Sequence, residues 1–439
     1  MSTWLRPVAA AIVIAAAAVS GCAKGAEPAA RPIPALLGTA AAATTSRADL
    51  ERTIAAMRRR LAEGDDPDAA IQLAEALLRQ TRVTGNAGLA NEAESALRRV
   101  VARDPEDYGA CRMLAAVYVS QHRFADGRAE ASRCRLMRRD DAWLLGVMGD
   151  AELELGEYDD AFEAFDVMMA LRPNASSYAR ASYARELQGD MTRALELMRM
   201  ALSATAPGDP EAVAWHLAQI GHLQLALGQV REAERSFAHA DHVFPGHPMA
   251  AEGRARVLIA RQDLGGALAL LEPQVAAMPT PDGLALIGDV QAALGSAVDA
   301  DRSYRLAEAA WMSDAPEPAR LARFLATRGR RLRDALDLAR REAAVRRDIF
   351  TDDALAWALF RAGDIGGAAA AIGRALRTGS KDRTIRYHAA AIAHARGDLA
   401  SARRYLRDAL DGGPGIDLGV AAEARALRAT LAQTEDQAP

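Results

Sequence analysis

The sequence predicts an all-α fold, a solenoid of about ten stacked helix pairs with a further helix closing each end. Three observations carry this prediction. A small residue recurs at Ala93, Gly127, Ala161, Ala194, Ala233, Ala267, Ala300, Ala335, Ala368 and Ala402, with spacings of 33 to 35 residues and one of 39. A period of this length marks repeated units that bury their apolar faces only against their neighbours. Half of the residues are hydrophobic but only 5% are aromatic, which suits thin helix pairs closed by Ala and Leu. At 439 residues a single globular core would have to split, because such cores stop growing at about 250–300 residues, whereas a solenoid has no such limit.

The bulk numbers and motifs exclude several classes. A formal charge of −4 offers no basic face for phosphates, so no nucleic-acid partner is expected. Only Lys24 and Lys381 among the 54 basic residues are lysines, a bias that carries no functional weight. The chain has no phosphate-cradling Gly loop, no H-E-x-x-H helix, no G-x-S-x-G elbow and no Cys-x-x-Cys pair. No enzymatic activity, cofactor or metal is expected from these residues.

The first 21 residues read as a signal peptide: Arg6 precedes an apolar run of twelve, Val8 to Val19, followed by the small residues Ser20 and Gly21. A spanning helix needs about 20 apolar residues, more than this run supplies. Val19-Ser20-Gly21-Cys22 resembles the lipobox of bacterial lipoproteins. That resemblance implies a lipidated Cys22 as the mature N-terminus and a membrane anchor, and Ala23, in place of Asp, points to the outer membrane, facing the periplasm. An ordinary signal peptide ending at a chance Cys is the alternative. Residues 22–46, rich in Ala, Pro, Gly and Thr, read as a flexible tether.

Residues 47–67 are expected to cap the first repeat. Ser46 is a candidate N-cap, and Leu50, Ile54, Met57 and Leu61 form one apolar stripe of a helix. The repeats run over 68–415. In the clearest one, Leu145-x2-Met148-Gly149-x2-Glu152 leads through Gly156 and Tyr158 to Ala161-x3-Phe165-x2-Met168 and Pro173. The first stripe makes a helix A, Gly156 the turn and the second stripe a helix B, which Pro173 stops. The order recurs as Leu217, Ile220, Gly221, Gly228, Ala233, Phe237, Ala240 and Pro245, and again as Leu284, Ile287, Gly288, Gly295, Ala300, Tyr304 and Ala307. Close helix crossing needs small residues, so Gly149, Gly221 and Gly288 are expected to face Ala161, Ala233 and Ala300.

This pattern resembles the tetratricopeptide repeat, whose W-x2-L-G-x2-Y…A-x3-F…P signature these residues follow. The resemblance covers ten repeats from Asp68 to Gly415 and is specific in the four centred on Ala161, Ala233, Ala300 and Ala402, the last reading Gly397, Leu399, Ala402, Leu406, Ala409 and Pro414. It implies a right-handed α-solenoid. The segment 204–210 lengthens one spacing to 39 and is a candidate break, while Thr84 to Gly88 makes a longer first turn. Residues 416–433 are expected to close the stack as a helix with a polar outer face, Leu418 to Leu431, leaving 434–439 as a disordered tail.

In such repeats helix A residues outside the core line a concave groove. The register assigns to it Trp143, Tyr183, Trp215, His222, Arg256, Asp289, Phe324, Trp357, Phe360, Tyr387 and His394. Aromatics and Arg at such positions suit a binding surface, and filling gaps between adjacent helices is the competing reading. Trp311 falls outside this set, at a repeat junction. Five of the eight histidines, His216, His222, His239, His242 and His247, share one repeat, but the register puts His222 inside and His239 and His242 outside, against a shared metal. Cys111 and Cys134 fall side by side across one helix pair, as a disulfide or as two buried thiols. The expected function is a membrane-anchored scaffold holding a partner protein or extended peptide, with envelope assembly or secretion by analogy with related lipoproteins. The alternatives are a metal- or ligand-binding accessory subunit of an envelope enzyme, and a self-assembling structural lipoprotein.

Overall fold

The computed structural model of the chain describes residues 47–84, 88–206, 208–313, 318–410 and 417–436. The expected signal peptide, lipidated Cys22, tether and Ser46 cap lie outside the described residues, as do residues 85–87 of the first turn, Pro207 and the end of the expected tail. The described residues form 22 helices and no strand. Helix α1 (Arg47–Glu63) precedes ten A–B helix pairs: α2 (Pro67–Thr84) and α3 (Gly88–Arg103), α4 (Tyr108–Ser120) and α5 (Phe124–Met137), α6 (Ala142–Leu155) and α7 (Tyr158–Leu171), α8 (Ala175–Leu187) and α9 (Met191–Ser203), α10 (Pro210–Ala226) and α11 (Val230–Val243). They continue as α12 (Pro248–Ala260) and α13 (Leu264–Ala277), α14 (Pro281–Ala293) and α15 (Ala297–Ser313), α16 (Pro318–Thr327) and α17 (Leu332–Val345), α18 (Ile349–Arg361) and α19 (Ile365–Ala375), α20 (Arg383–Ala395) and α21 (Leu399–Leu410). A last helix, α22, spans Leu418–Asp436. The fold is a helical-repeat solenoid.

Two compact units divide these elements. An N-terminal unit holds described residues 47–181 and 197–216, and a C-terminal unit holds 182–196 and 217–436. In the first, α1 packs on α2 through buried Leu50 and Ile54, and Arg58 pins it to α3 by a two-pronged pair with Glu92 at 2.8 and 2.7 Å. Met57 and Leu61 complete the apolar stripe, half-buried against the same core.

The repeated small residue is a packing constraint. Every Ala of the series is buried. The three repeat glycines, however, meet a different neighbour from the one expected. A Cβ on Gly149 would lie 2.5 Å from the Phe165 ring, on Gly221 2.7 Å from Phe237 and on Gly288 2.4 Å from Tyr304. Each ring sits four residues past the Ala in the register, and it is the ring rather than the Ala methyl that claims the space. The wider group reaches the opposite backbone first. Phe237 is clamped from both sides, since a Cβ on Gly253 in α12 would lie 2.1 Å from it.

Between helices A and B the backbone enters the left-handed region, usually at a single Gly: Gly156, Gly189, Gly228, Gly295, Gly363 and Gly397 have φ of 75 to 88°, while the α16–α17 turn does so twice, at Gly329 (φ 64°) and Arg331 (φ 42°). In two repeats the equivalent position holds His122 (φ 61°) or Gln262 (φ 63°), whose Cβ crowds the backbone there. The A helices start on short polar caps, as when Asp107 accepts from the Ala110 amide at 2.8 Å and Asp348 from that of Phe350 at 2.9 Å.

The long 39-residue spacing is absorbed locally. Helix α10 has 17 residues where α12 and α14 have 13, so much of the extra chain is one added helical turn. Asp209 just before it pairs with Arg79 of α2 at 3.6 Å. The Cys111 and Cys134 sulfurs are bonded to each other, tying α4 to α5 with Cα atoms 5.9 Å apart across a separation of 23 residues. Such a loop is worth about 3 kcal/mol in the chain-entropy picture. Helix α22 runs through Asp436, past the expected end at 433, because Gln433, Thr434 and Glu435 include no helix breaker.

Two substitutions test the packing and turn arguments. Gly253→Ala should lower stability by about 1–3 kcal/mol through its clash with Phe237. Gln262→Gly should raise it by up to about 1 kcal/mol, since relief of left-handed strain exceeds the entropy cost of Gly. Thermal melts of the two variants moving in the same direction would contradict this account.

Candidate functional site

The eleven candidate positions all lie on A helices and none is exposed. Tyr183, His222, Asp289, Phe324, Trp357 and Tyr387 are buried, whereas Trp143, Trp215, Arg256, Phe360 and His394 are partly exposed. The two units treat them differently.

In the N-terminal unit Trp143 forms a shelf. The Arg112 guanidinium lies over its ring at 4.6 Å and donates to Asp141 at 2.6 Å, while the Tyr108 hydroxyl donates to the same carboxylate oxygen at 2.7 Å. Asp141 also caps α6 through the Trp143 amide at 2.8 Å. Burial opposes ionisation of Asp141, but Arg112, the Tyr108 hydroxyl and the Leu144 amide outweigh it and hold the carboxyl below its usual range. One carboxylate thus fixes an indole, a phenol and a guanidinium together. Trp215 stands edge-on to His216 with centroids 4.9 Å apart.

Deeper in this unit, between α6 and α8, Arg180 donates to both oxygens of Asp150, at 2.9 and 2.7 Å, with both residues almost wholly buried. A Cβ on Gly146 would come within 3.0 Å of this guanidinium. The pair escaped the sequence reading because a buried Arg and a surface Arg look alike in one sequence. Its only signal was Gly146, three residues before the repeat's Gly149.

In the C-terminal unit three of the candidates, Trp357, Phe360 and Tyr387, are stacked together. Trp357 is fully buried between the Phe360 ring at 5.0 Å and the His388 ring at 4.0 Å, with Tyr387 at 5.6 Å. His388 Nδ1 meets Asp353 at 2.8 Å, both also fully buried. Phe324 contacts Trp311 of the preceding B helix, at 4.8 Å. Asp289 accepts from Tyr304 at 2.9 Å and from Arg328, whose guanidinium reaches both of its oxygens at 2.6 and 2.5 Å. His222 packs on Phe237 at 5.0 Å, and burial, with Arg256 and His247 nearby, pushes its imidazole down to about 3. His239 and His242 are exposed on α11, away from it. Burial also pushes Arg256 down to about 9, which leaves it cationic at neutral pH.

The last helix lies across this face. Leu418 packs against the hydrophobic cluster that includes Ala255, Leu286 and Ile287, and a Cβ on Gly419 would meet Thr327 at 3.3 Å and Arg328 at 3.4 Å. Glu423 accepts from Arg361 at 3.1 Å and from the Tyr387 hydroxyl at 3.0 Å, and Arg403 donates to the Leu431 carbonyl at 3.1 Å. Val420, Ala421, Ala424 and Leu431 are buried, while Arg425 and Arg428 on the other side are exposed and Glu423 lies at the edge of the contact, solvent-accessible. The polar outer face is the one expected. Its seat extends beyond the last repeat, back over α14, α16, α18 and α20. Among the described residues the one cluster with metal-ligand geometry is Cys111, Glu130 and Cys134. While the sulfurs are joined it offers no thiolate, and Arg133 already engages Glu130 at 2.6 Å.

The family described as tetratricopeptide repeat matches residues 147–210, 219–272 and 354–415, so the chain carries tetratricopeptide repeats. No curated protein matches it. Among solved structures it is similar to a tetratricopeptide repeat protein from Parabacteroides merdae, at 17% identity over 55% of this chain and 94% of that one with a TM-score of 0.42. It is likewise similar to a human IFIT1 dimer with m7Gppp-AAAA, at 15% identity over 76% and 77% with a TM-score of 0.49. A third similar structure is PilW, a type IV pilus biogenesis factor, at 18% identity over 48% and 94% with a TM-score of 0.39. No activity is carried across from them.

Buried carboxyls give a pH signature. Burial, reinforced by neighbouring Asp382, pushes Glu186 up to about 8 from 4.5. The folded chain then keeps a proton that the unfolded chain has released, so this contribution to stability is present at low pH and fades as pH rises toward 8. Glu152 and Glu252, each pushed up to about 7 mainly by burial, act with the same sign. His222 acts oppositely, but only below its ordinary value of 6.5. Stability should therefore fall between about pH 6.5 and 8, and Glu186→Gln should flatten that fall, read as urea midpoints across the range. An unchanged slope in the variant would remove Glu186 from the account.

Proposed function

We propose that this chain is a membrane-anchored scaffold that holds a partner protein or extended peptide on the exposed parts of its A helices. The tetratricopeptide repeats support a protein-interaction role. The observation that carries the reading further is the Trp143 shelf. A partly exposed indole lies beneath Arg112, and both are fixed by one carboxylate that also caps the helix. Rigid aromatic area beside an oriented guanidinium is what binding hot spots are made of, because little rotamer freedom is lost on contact.

Anchoring follows from the lipobox-like Val19-Ser20-Gly21-Cys22. In this reading attachment is through lipid on Cys22, and no described helix is long and apolar enough to cross a membrane. Confinement at the outer membrane, facing the periplasm, would raise the effective concentration of partners there, as envelope assembly or secretion requires.

Crosslinking from position 143 in intact cells should yield one dominant protein adduct, and Trp143→Ala should cut recovery of that partner at least tenfold with an unchanged melt. Capture undiminished in Trp143→Ala would move the site elsewhere, and concentration-dependent homo-oligomers with no adduct would favour self-assembly. Cys22→Ser should release the protein from the membrane fraction.

A further inference from the structure

The C-terminal unit shows what kind of molecule its A-helix face accepts, because a segment of the chain already occupies it. Helix α22 touches this face through one narrow set of residues. At its start Asp417 accepts from the Gly419 amide at 2.8 Å and so caps the helix. The cap bond and the charges of Arg328, Arg256 and Arg323 hold this carboxyl below its usual range against the opposing effect of burial, and Arg328 lies close by, since a Cβ on Gly419 would meet both Asp417 Oδ1 at 3.2 Å and Arg328 Nη2 at 3.4 Å. Without Asp417 the same guanidiniums would face the positive end of the helix dipole, a disfavoured arrangement. Gly419 is the next requirement, since a side chain there would press on Thr327 and Arg328. Glu423, six residues after Asp417, is the second anchor, bound by Arg361 and the Tyr387 hydroxyl.

Between these anchors the hold is slight. Two of the four buried residues of α22 are alanines, Ala421 and Ala424, and the remaining apolar grip is Val420 and Leu431 with half-buried Leu418 and Leu427. By contrast, the α10–α11 crossing in this unit buries the whole Phe237 ring against Gly221. The face is therefore addressed mainly through its charges, and a helix held mainly through charges is open to exchange for another of the same pattern.

We propose that α22 is a built-in occupant of a docking face, and that the partner displacing it is an amphipathic helix that opens Asp-x-Gly-x3-Glu, one carboxylate at its N-cap and a second six positions on. This rests on the scaffold reading and adds to it the partner's chemistry and a form of self-masking. Tethering gives α22 an effective concentration in the millimolar range, so a free competitor is disfavoured until it outbids the tether or the tethered copy is weakened.

The test needs no natural partner, so it succeeds or fails apart from the capture experiment at Trp143. A labelled peptide with the sequence of residues 415–436 is titrated into the full chain and into a full-length Asp417→Arg/Glu423→Arg variant, whose own α22 is loosened while the receiving arginines remain. The peptide should bind the variant at least tenfold more tightly than the wild type, and a peptide with both acids reversed should lose at least tenfold on the variant. Equal binding of the two peptides, or no binding to a variant that keeps its helix content, overturns the proposal. Hydrogen exchange on the unaltered chain covers the case of a variant that does not fold. Amides of α22 should exchange at least tenfold faster than those of α18 and α20, and protection of α22 equal to theirs makes it a fixed part of the core and also overturns the proposal.

Discussion

The closeness with which a B-helix ring approaches an A-helix backbone sets the geometry of this chain. Phe165 against Gly149, Phe237 between Gly221 and Gly253, and Tyr304 against Gly288 leave no room for a Cβ at the glycine. The contact recurs at one register position in three of the ten helix pairs and gives those pairs the same kind of crossing. The left-handed turn residue and the Asp caps serve this contact, ending one helix and starting the next where the ring can reach. Where the chain spends extra residues, as in α10, it lengthens a helix and leaves the crossing in place.

Repeated packing of this kind leaves the A-helix faces free to carry groups that a globular core would reject. Arg180 and Asp150 are sealed together, as are His388 and Asp353, and the Asp289 carboxylate is shared between Arg328 and Tyr304. Burying a charge is costly unless a partner is buried with it, so these pairs reward only the correct stacking of neighbouring A helices. Carboxyls with weaker compensation, Glu186 above all, hold protons that solvent would remove. Packing and protonation are therefore linked along the same faces.

The same surfaces differ in access. In the N-terminal unit Trp143 is displayed and held rigid, whereas in the C-terminal unit Trp357 and Tyr387 share a hydrophobic cluster with Val420 and Ala424 of α22. One repeat type thus leaves its A-helix face partly exposed in one unit and covered by α22 in the other. The difference comes from what lies on the faces and not from the helices beneath.

Much of the fold was legible in the sequence because its cause is local. The 34-residue period, the turn glycines and the ring four residues past Ala161, Ala233 and Ala300 are short-range patterns, and they place all eleven candidate residues on A helices. The identity of each glycine's neighbour was not legible, since choosing between Ala161 and Phe165 requires the distance between two backbones. Nor was the fate of the C-terminal face. No local pattern marks Asp417 or Glu423, and only tertiary packing brings them to Arg328, Arg361 and Tyr387. The sequence by itself determined the repeating unit, because helix period and steric size act over a few residues. Tertiary structure alone decided which surfaces stay open, because burial and charge pairing join residues that no local pattern connects.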